Sequence, residues 1–118
     1  MAGGRLVKLE RPGATIAGDR RGSGPPVLLL HAGGERRQVW EPVQEALAAA
    51  GFEGIALDLR GHGESSAAGG DDLDVIAGDV GAMIDRLEAA PVIVGASLGG
   101  FAALSALTAG DRQSAVAG

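Results

Sequence analysis

The chain has 118 residues, of which 46% are hydrophobic and 21% are charged, enough for one small globular domain. Its net charge of −5 leaves no basic stripe to neutralise phosphates, so nucleic acid is not an expected partner. With no cysteine and only two histidines, we expect neither a metal site nor a cofactor site.

No targeting or membrane signal is visible in the sequence. No apolar leader follows residues 1–5, and no run of 18 apolar residues occurs. We therefore expect a cytoplasmic protein that acts on a small-molecule substrate and has no membrane partner.

Two short strands begin the chain. Residues 5–10 and 14–19 flank the turn signal Arg11-Pro12-Gly13, which predicts an antiparallel hairpin. A glycine- and proline-rich loop then leads to residue 26. We expect the basic pairs at residues 20–21 and 36–37 to be solvated loop residues.

A βα unit follows the hairpin. Residues 27–30 contain no polar side chain, as in a central parallel strand. A helix is expected from about residue 40 to Ala50, with Pro42 in its first turn. Its apolar face is predicted from the spacing of Trp40, Val43, Leu47 and Ala50. The next strand spans residues 52–59.

The second half of the chain repeats this alternation. After a surface loop at residues 66–70, Asp71, Asp72 and Asp74 place negative charge at a helix start. Apolar residues at helical spacing carry that helix to about residue 89, and we expect its Gly78 and Gly81 to permit close packing on a sheet. A strand at residues 92–94 and a helix from residue 101 complete a βαβαβα order, which implies a parallel sheet with helices on both faces.

A Gly-x-Ser-x-Gly turn, residues 95–99, joins that last strand to its helix. Such a match alone is weak in a chain with 21 glycines, but strand, turn and helix are the context that a nucleophile elbow needs. Ser97 is the candidate nucleophile. The backbone N–H of Leu98, at the helix N-terminus, would face a developing oxyanion.

Three motifs in order resemble the N-terminal half of the α/β-hydrolase family. They are the strand and loop at residues 27–34, the Asp-x-Arg-Gly-x-Gly-x-Ser turn at residues 58–65, and the elbow at residues 95–100. The resemblance covers residues 26–110, with Ala32 in place of the usual glycine. It implies a truncated α/β-hydrolase fold, a single incomplete domain over residues 1–118.

The resemblance also implies roles for individual residues. Ser97 would be the nucleophile of a serine hydrolase acting on an ester-like carbonyl. The backbone N–H groups of Gly33 and Leu98 would form its oxyanion hole. His31 and the turn around His62 would be structural.

The remaining members of a catalytic triad are missing from the sequence. In that family an acid and then a histidine follow the nucleophile; here Asp111 comes too early and no histidine follows Ser97. We therefore expect a fragment or one half of a split enzyme, inactive alone, which pairs with a complementing C-terminal chain. Residues 115–118 look like the approach to a sixth strand, and the elbow strand would be an exposed edge prone to self-association.

Other functions remain open or are disfavoured. Within the fold, a C–C bond hydrolase or a cofactor-free haloperoxidase or perhydrolase would share this elbow, whereas the dehalogenase and epoxide-hydrolase branches use aspartate at the position of Ser97. A non-catalytic pseudoenzyme is a further alternative. Nucleotide binding is rejected because Phe101 stands where a phosphate loop needs lysine, and residues 61–66 lack the third glycine of a dinucleotide fingerprint.

Overall fold

The computed structural model describes residues 4–66 and 72–118. The predicted features at residues 1–3, in the loop at 67–70 and at Asp71 lie outside this range. The strands are β1 (Arg5–Arg11), β2 (Ala14–Gly22), β3 (Pro26–Leu30), β4 (Glu53–Leu57) and β5 (Val92–Gly95). The α-helices are α1 (Glu41–Ala49), α2 (Leu73–Arg86) and α3 (Leu98–Ala109), with 3-10 turns at Arg37–Trp40 and Gln113–Ala115.

The five strands form one mixed sheet in the order β1-β2-β4-β3-β5. β1 and β2 are the predicted antiparallel hairpin, and β3 is parallel to both β4 and β5. The predicted α/β fold class is therefore confirmed. Parallel neighbours place the carboxyl ends of β3, β4 and β5 at the same edge, where the three sequence motifs meet.

Helices cover both faces of the sheet, as expected. α1 packs over a small cluster formed by Val27, Leu29 and Ala56. The larger core lies on the opposite face, where α2 and α3 cover side chains such as Leu28, Leu30 and Ile55. No helix within residues 4–66 and 72–118 is long and apolar enough to cross a membrane.

The buried face of α1 differs from the predicted one. Trp40 and Leu47 pack on the sheet, but Val43 and Ala50 are exposed and Gln44 is fully buried. The Gln44 amide donates to Asp19 at 2.9 Å and to the Gly54 carbonyl at 3.1 Å. These tertiary hydrogen bonds explain how a polar residue occupies a core position.

α2 also departs from its prediction. Asp72 caps it by accepting from the Val75 N–H at 2.9 Å, but the helix ends at Arg86, because Leu87 is already extended. The space beside Gly78 and Gly81 is taken by arginine side chains: a Cβ at Gly78 would lie 3.3 Å from Arg11 Nη2. A Cβ at Gly81 would lie 2.7 Å from the guanidinium of Arg112, which follows α3.

Three of the four paired arginines are not solvated loop residues. Arg20 and Arg21 belong to β2, where Arg20 forms an ion pair with Glu53 at 2.8 Å. Arg37 is buried, with only 6% of its surface exposed, and Arg36 alone is exposed as predicted. The sequence pattern could not predict these ion pairs, because the acidic partners Glu53 and Asp58 are 33 and 21 residues away from Arg20 and Arg37.

β5 is an edge strand of the sheet, as predicted, but its outer side is not wholly unpaired. The Ile93 N–H donates to the Gly118 carbonyl at 2.8 Å, and the Ala117 N–H donates to the Pro91 carbonyl at 2.8 Å. The chain after the second 3-10 turn thus begins to run beside β5. Val92 and Val94 each keep 40% of their surface exposed on the α1 face of the sheet.

We predict that the 118-residue chain self-associates through β5. Its four residues carry no charge, whereas the other edge strand, β1, carries Arg5, Lys8, Glu10 and Arg11, and charged side chains protect an edge from pairing. Val94→Lys should shift the species seen in sedimentation velocity toward monomer, and Leu6→Lys on β1 should not. A wild-type chain that sediments as a monomer and melts cooperatively would refute this prediction.

Candidate active site

Ser97 occupies a strained turn between β5 and α3. Its φ of 51° and ψ of −111° lie in a region that non-glycine residues rarely adopt, at a typical cost of about 1–3 kcal/mol. The residue is exposed, and the helix starts at the next position. The predicted nucleophile therefore stands at the carboxyl edge of the sheet, at a helix N-terminus.

Two glycines allow close backbone contacts in this turn, Gly99 with the end of β3 and Gly95 with the start of α3. A Cβ at Gly99 would overlap the Leu30 carbonyl oxygen and lie 2.8 Å from the His31 carbonyl oxygen. A Cβ at Gly95 would lie 2.6 Å from the Gly100 Cα. Since these contacts are with backbone, which cannot rotate away, only glycine fits either position.

The loop after β3 lies against the elbow. A Cβ added at Gly33 would lie 3.6 Å from Leu98 Cδ2, which puts the two predicted oxyanion residues side by side. The loop is a tight turn, closed by a 3.1 Å hydrogen bond from the Glu35 N–H to the Ala32 carbonyl. Gly34 has a φ of +82°, which favours glycine there.

His31 has a structural position, as the resemblance implies. It is fully buried, and its Nε2 accepts from the Leu59 N–H at 3.0 Å. Its Nδ1 lies 2.7 Å from the Ala32 carbonyl, so the neutral ring with a proton on Nδ1 satisfies both contacts. Burial, reinforced by His62 nearby, lowers the pKa of His31 and favours this neutral form.

The turn after β4 is built around the buried carboxylate of Asp58. This carboxylate accepts from the Arg37 N–H at 2.7 Å, from Arg37 Nη1 at 2.5 Å and from the Glu64 N–H at 3.0 Å. The Ser65 hydroxyl donates to the Asp58 carbonyl at 2.6 Å and accepts from the Ala17 N–H at 2.8 Å. The motif therefore fixes the turn to β2 and to the loop that precedes α1.

A cavity of about 230 Å³ opens beside the elbow. It lies between the loop after β3 and the start of α1. Its lining combines apolar side chains with one imidazole and one carboxylate. The lining residues are His31, Ala32, Glu35, Val39, Trp40, Val43 and Ala96. A larger cavity of about 470 Å³ lies at the other end of the sheet, near Pro26, Glu53 and Arg86. The smaller one is the better candidate, because α/β proteins bind ligands at the carboxyl ends of their strands.

The hydrogen bonds of the two histidines are with backbone groups and not with Ser97. Both ring nitrogens of His31 are engaged, and His62 Nδ1 lies 3.0 Å from the Arg60 carbonyl on the turn after β4. Within residues 4–66 and 72–118, no group of three or more histidine, aspartate or glutamate side chains is arranged to hold a metal ion.

The sequence analysis missed one residue near the site. Arg37 is buried and bonds to Asp58 and Glu64, in the turn after β4.

Comparison with known proteins identifies the family. The family model for the alpha/beta hydrolase fold matches residues 25–117. The chain belongs to the α/β-hydrolase family. It is 37% identical over 90 residues, 75% of its length, to BpoC of Mycobacterium tuberculosis, whose name suggests a non-heme bromoperoxidase. It is 34% identical over 111 residues, 90% of its length, to an epoxide hydrolase of Caballeronia sordidicola.

A solved structure agrees with this assignment. The thioesterase domain from the curacin biosynthetic pathway superposes with a TM-score of 0.87 at 28% identity, and the match covers 98% of this chain and 44% of that one. The chain spans about a third of the length of the curated relatives, 34% of both BpoC and the epoxide hydrolase. These 118 residues therefore form the N-terminal α/β core of the family.

We predict that Gly99→Ala destabilises the protein by about 2–3 kcal/mol, since its methyl group would overlap backbone atoms of Leu30 and His31. Gly33→Ala is the matched control. Its methyl group meets nothing closer than 3.6 Å, so we expect a change within about 0.5 kcal/mol. Urea denaturation followed by circular dichroism measures both, and equal losses in the two variants would contradict the packing argument.

We also predict that stability falls as the pH drops below about 6.5. The lowered pKa keeps folded His31 neutral, while the unfolded chain takes up a proton as the pH passes its ordinary pKa. His31 therefore contributes its full stabilisation above the ordinary pKa of histidine. As the pH falls from there toward the folded pKa, the free energy of unfolding decreases by at most about 1.4 kcal/mol per pH unit. Urea denaturation at pH 7.5, 6.5 and 5.5 should show this slope in the wild type and a flatter one in His31→Asn. Equal slopes would contradict the assignment to His31.

Proposed function

We propose that this chain supplies the nucleophile and the oxyanion hole of a serine hydrolase that acts on an ester-like carbonyl. The observation that carries the proposal is the strained backbone of Ser97, at φ 51°, on an exposed turn that begins α3. Backbone strain of this size persists only where surrounding structure enforces it, and such strain clusters at functional sites.

The reaction begins with attack by Ser97 Oγ on the substrate carbonyl carbon. The carbonyl electrons move onto oxygen, and the N–H groups of Gly33 and Leu98 stabilise the resulting oxyanion. One such donor is worth about 3–4 kcal/mol in a related catalytic setting. The close approach of Gly33 to Leu98 supports this pairing of donors.

The proton of Ser97 needs an acceptor. Because His31 is fully hydrogen-bonded and His62 lies against the Arg60 carbonyl, we propose that a histidine outside these 118 residues acts as the base. Its contribution is large, since in subtilisin loss of the histidine lowers kcat by about 2 × 10⁶. A complementing C-terminal segment is therefore part of the proposed enzyme.

The relatives of this chain include epoxide hydrolases, but Ser97 differs from the aspartate that the resemblance implies for that branch. A serine at the elbow attacks an acyl carbon after losing a proton, whereas the epoxide-hydrolase branch uses an aspartate at that position. The structural match to a thioesterase domain favours acyl transfer. We therefore propose ester or thioester substrates rather than epoxides.

The test uses the protein expressed from its whole gene. Ser97→Ala should lower hydrolysis of p-nitrophenyl butyrate by about 10⁴-fold or more and abolish labelling by a fluorophosphonate. Ser23→Ala, in the exposed loop between β2 and β3, is the control and should change neither. Hydrolysis that survives in Ser97→Ala would overturn the proposal, as would a wild type that neither hydrolyses the ester nor takes the label.

A cofactor-free haloperoxidase is the second candidate. The 37% identity to a protein with a bromoperoxidase name favours it. Bromination of monochlorodimedone in the presence of bromide, hydrogen peroxide and acetate would reveal this activity. Ser97 would pass an acetyl group from acetic acid to peroxide with release of water, and the resulting peracid would oxidise bromide and return acetate. Loss of bromination in Ser97→Ala would place the activity at the same site.

A further inference from the structure

The turn that carries Gly33 is held at both of its ends by two consecutive residues, Asp58 and Leu59, which directly follow β4. At the first end, His31 Nε2 accepts from the Leu59 N–H at 3.0 Å. At the second end, the Arg37 N–H donates to Asp58 Oδ1 at 2.7 Å and Arg37 Nη1 donates to Asp58 Oδ2 at 2.5 Å. The position of the loop is therefore set by the segment that directly follows β4.

The second attachment is the stronger one electrostatically. Arg37 is 6% exposed and Asp58 is fully buried, so water screens their attraction little. Hydrogen bonds between charged partners are shorter and stronger than neutral ones. The Arg37 guanidinium also reaches Glu64 at 2.6 Å, on the same turn.

Between these attachments the loop has few restraints of its own. Gly33, Gly34, Glu35 and Arg36 are exposed, and the internal bond within the turn is the one from Glu35 to Ala32. Its direction relative to Leu98 therefore depends on where the two ends are fixed. A displacement of Arg37 would therefore move Gly33 relative to Leu98, which it now contacts closely.

We propose that Arg37, through its ion pair with Asp58, is a positioning residue that holds the Gly33 N–H in line with the oxyanion. This inference rests on the proposed function of Ser97. Arg37 touches no reacting atom. Its effect on the rate passes through the backbone of the loop that it anchors.

A displaced donor stabilises the transition state less, while the binding of the ground-state substrate changes little. A misplacement of about 1 Å can cost about 10²-fold in rate, and removal of an oxyanion donor costs about 10²–10³-fold. We expect Arg37→Met to lower kcat by about 10–100-fold while KM changes less than about threefold. Arg37→Lys keeps a cation beside Asp58 and should recover part of the loss.

A second buried ion pair provides the matched control. Arg60 and Asp79 are each 2% exposed and pair at 2.8 Å, but they join the turn after β4 to α2 and not to the loop that carries Gly33. Arg60→Met should lower the melting temperature without lowering kcat per active site. Active sites are counted by titration with a fluorophosphonate.

The experiment measures these variants in the protein expressed from its whole gene. A trifluoromethyl ketone that mimics the tetrahedral adduct should bind Arg37→Met more weakly, in proportion to the fall in kcat/KM. Arg60→Met should bind it as the wild type does. If Arg37→Met does not fold because Asp58 is left unpaired, the double variant Arg37→Met/Asp58→Asn removes both charges and should still lose at least tenfold in kcat.

An independent readout is amide hydrogen exchange at Glu35, whose N–H closes the turn. Exchange should accelerate in Arg37→Met and stay unchanged in Arg60→Met. Equal kcat and equal Glu35 exchange in the two variants would overturn the inference while leaving the hydrolase in place. Activity that survives in Ser97→Ala, or a wild type without activity, would overturn the proposed function and this inference with it.

Discussion

The buried carboxylate of Asp58 is the constraint on which the carboxyl edge of the sheet depends. A charge removed from water is tolerated only when it is paired and fully hydrogen-bonded. Asp58 meets this requirement with three donors, two from Arg37 and one from Glu64. A Cβ at Gly63 would overlap the carboxylate, so the turn must carry glycine there. One desolvated charge therefore fixes a loop, a turn and the start of a helix at once.

The elbow is held by steric contact rather than by charge. Ser97 stays in its unfavourable conformation because Gly99 and Gly95 let α3 approach β3 and β5 to a distance that no larger residue allows. A 3.0 Å hydrogen bond from the Ala96 N–H to the Leu30 carbonyl continues the sheet up to the strained residue. The backbone strain is thus supported by packing between α3, β3 and β5.

Local sequence signals account for much of what was predicted. The hairpin around Pro12, the apolar strand at residues 27–30 and the glycine pattern around Ser97 each encode their structure within a few residues. Arg37 and Gln44 could not be predicted in this way. Their burial depends on Asp58 and Asp19, partners 21 and 25 residues away, and no periodic pattern reveals such pairs. The same holds for Gly81, which accommodates the guanidinium of Arg112 from the segment after α3.

Trp40 has a spectroscopic consequence. It is the only tryptophan of the chain, which contains no tyrosine, so its indole supplies nearly all of the intrinsic fluorescence. This ring lines the 230 Å³ cavity beside the elbow and packs on the α1 face of the sheet. Emission from the 118-residue chain therefore reports on one place, the space between the loop after β3 and the first helix. A molecule entering that space could be followed by its effect on a single fluorophore, without an added label.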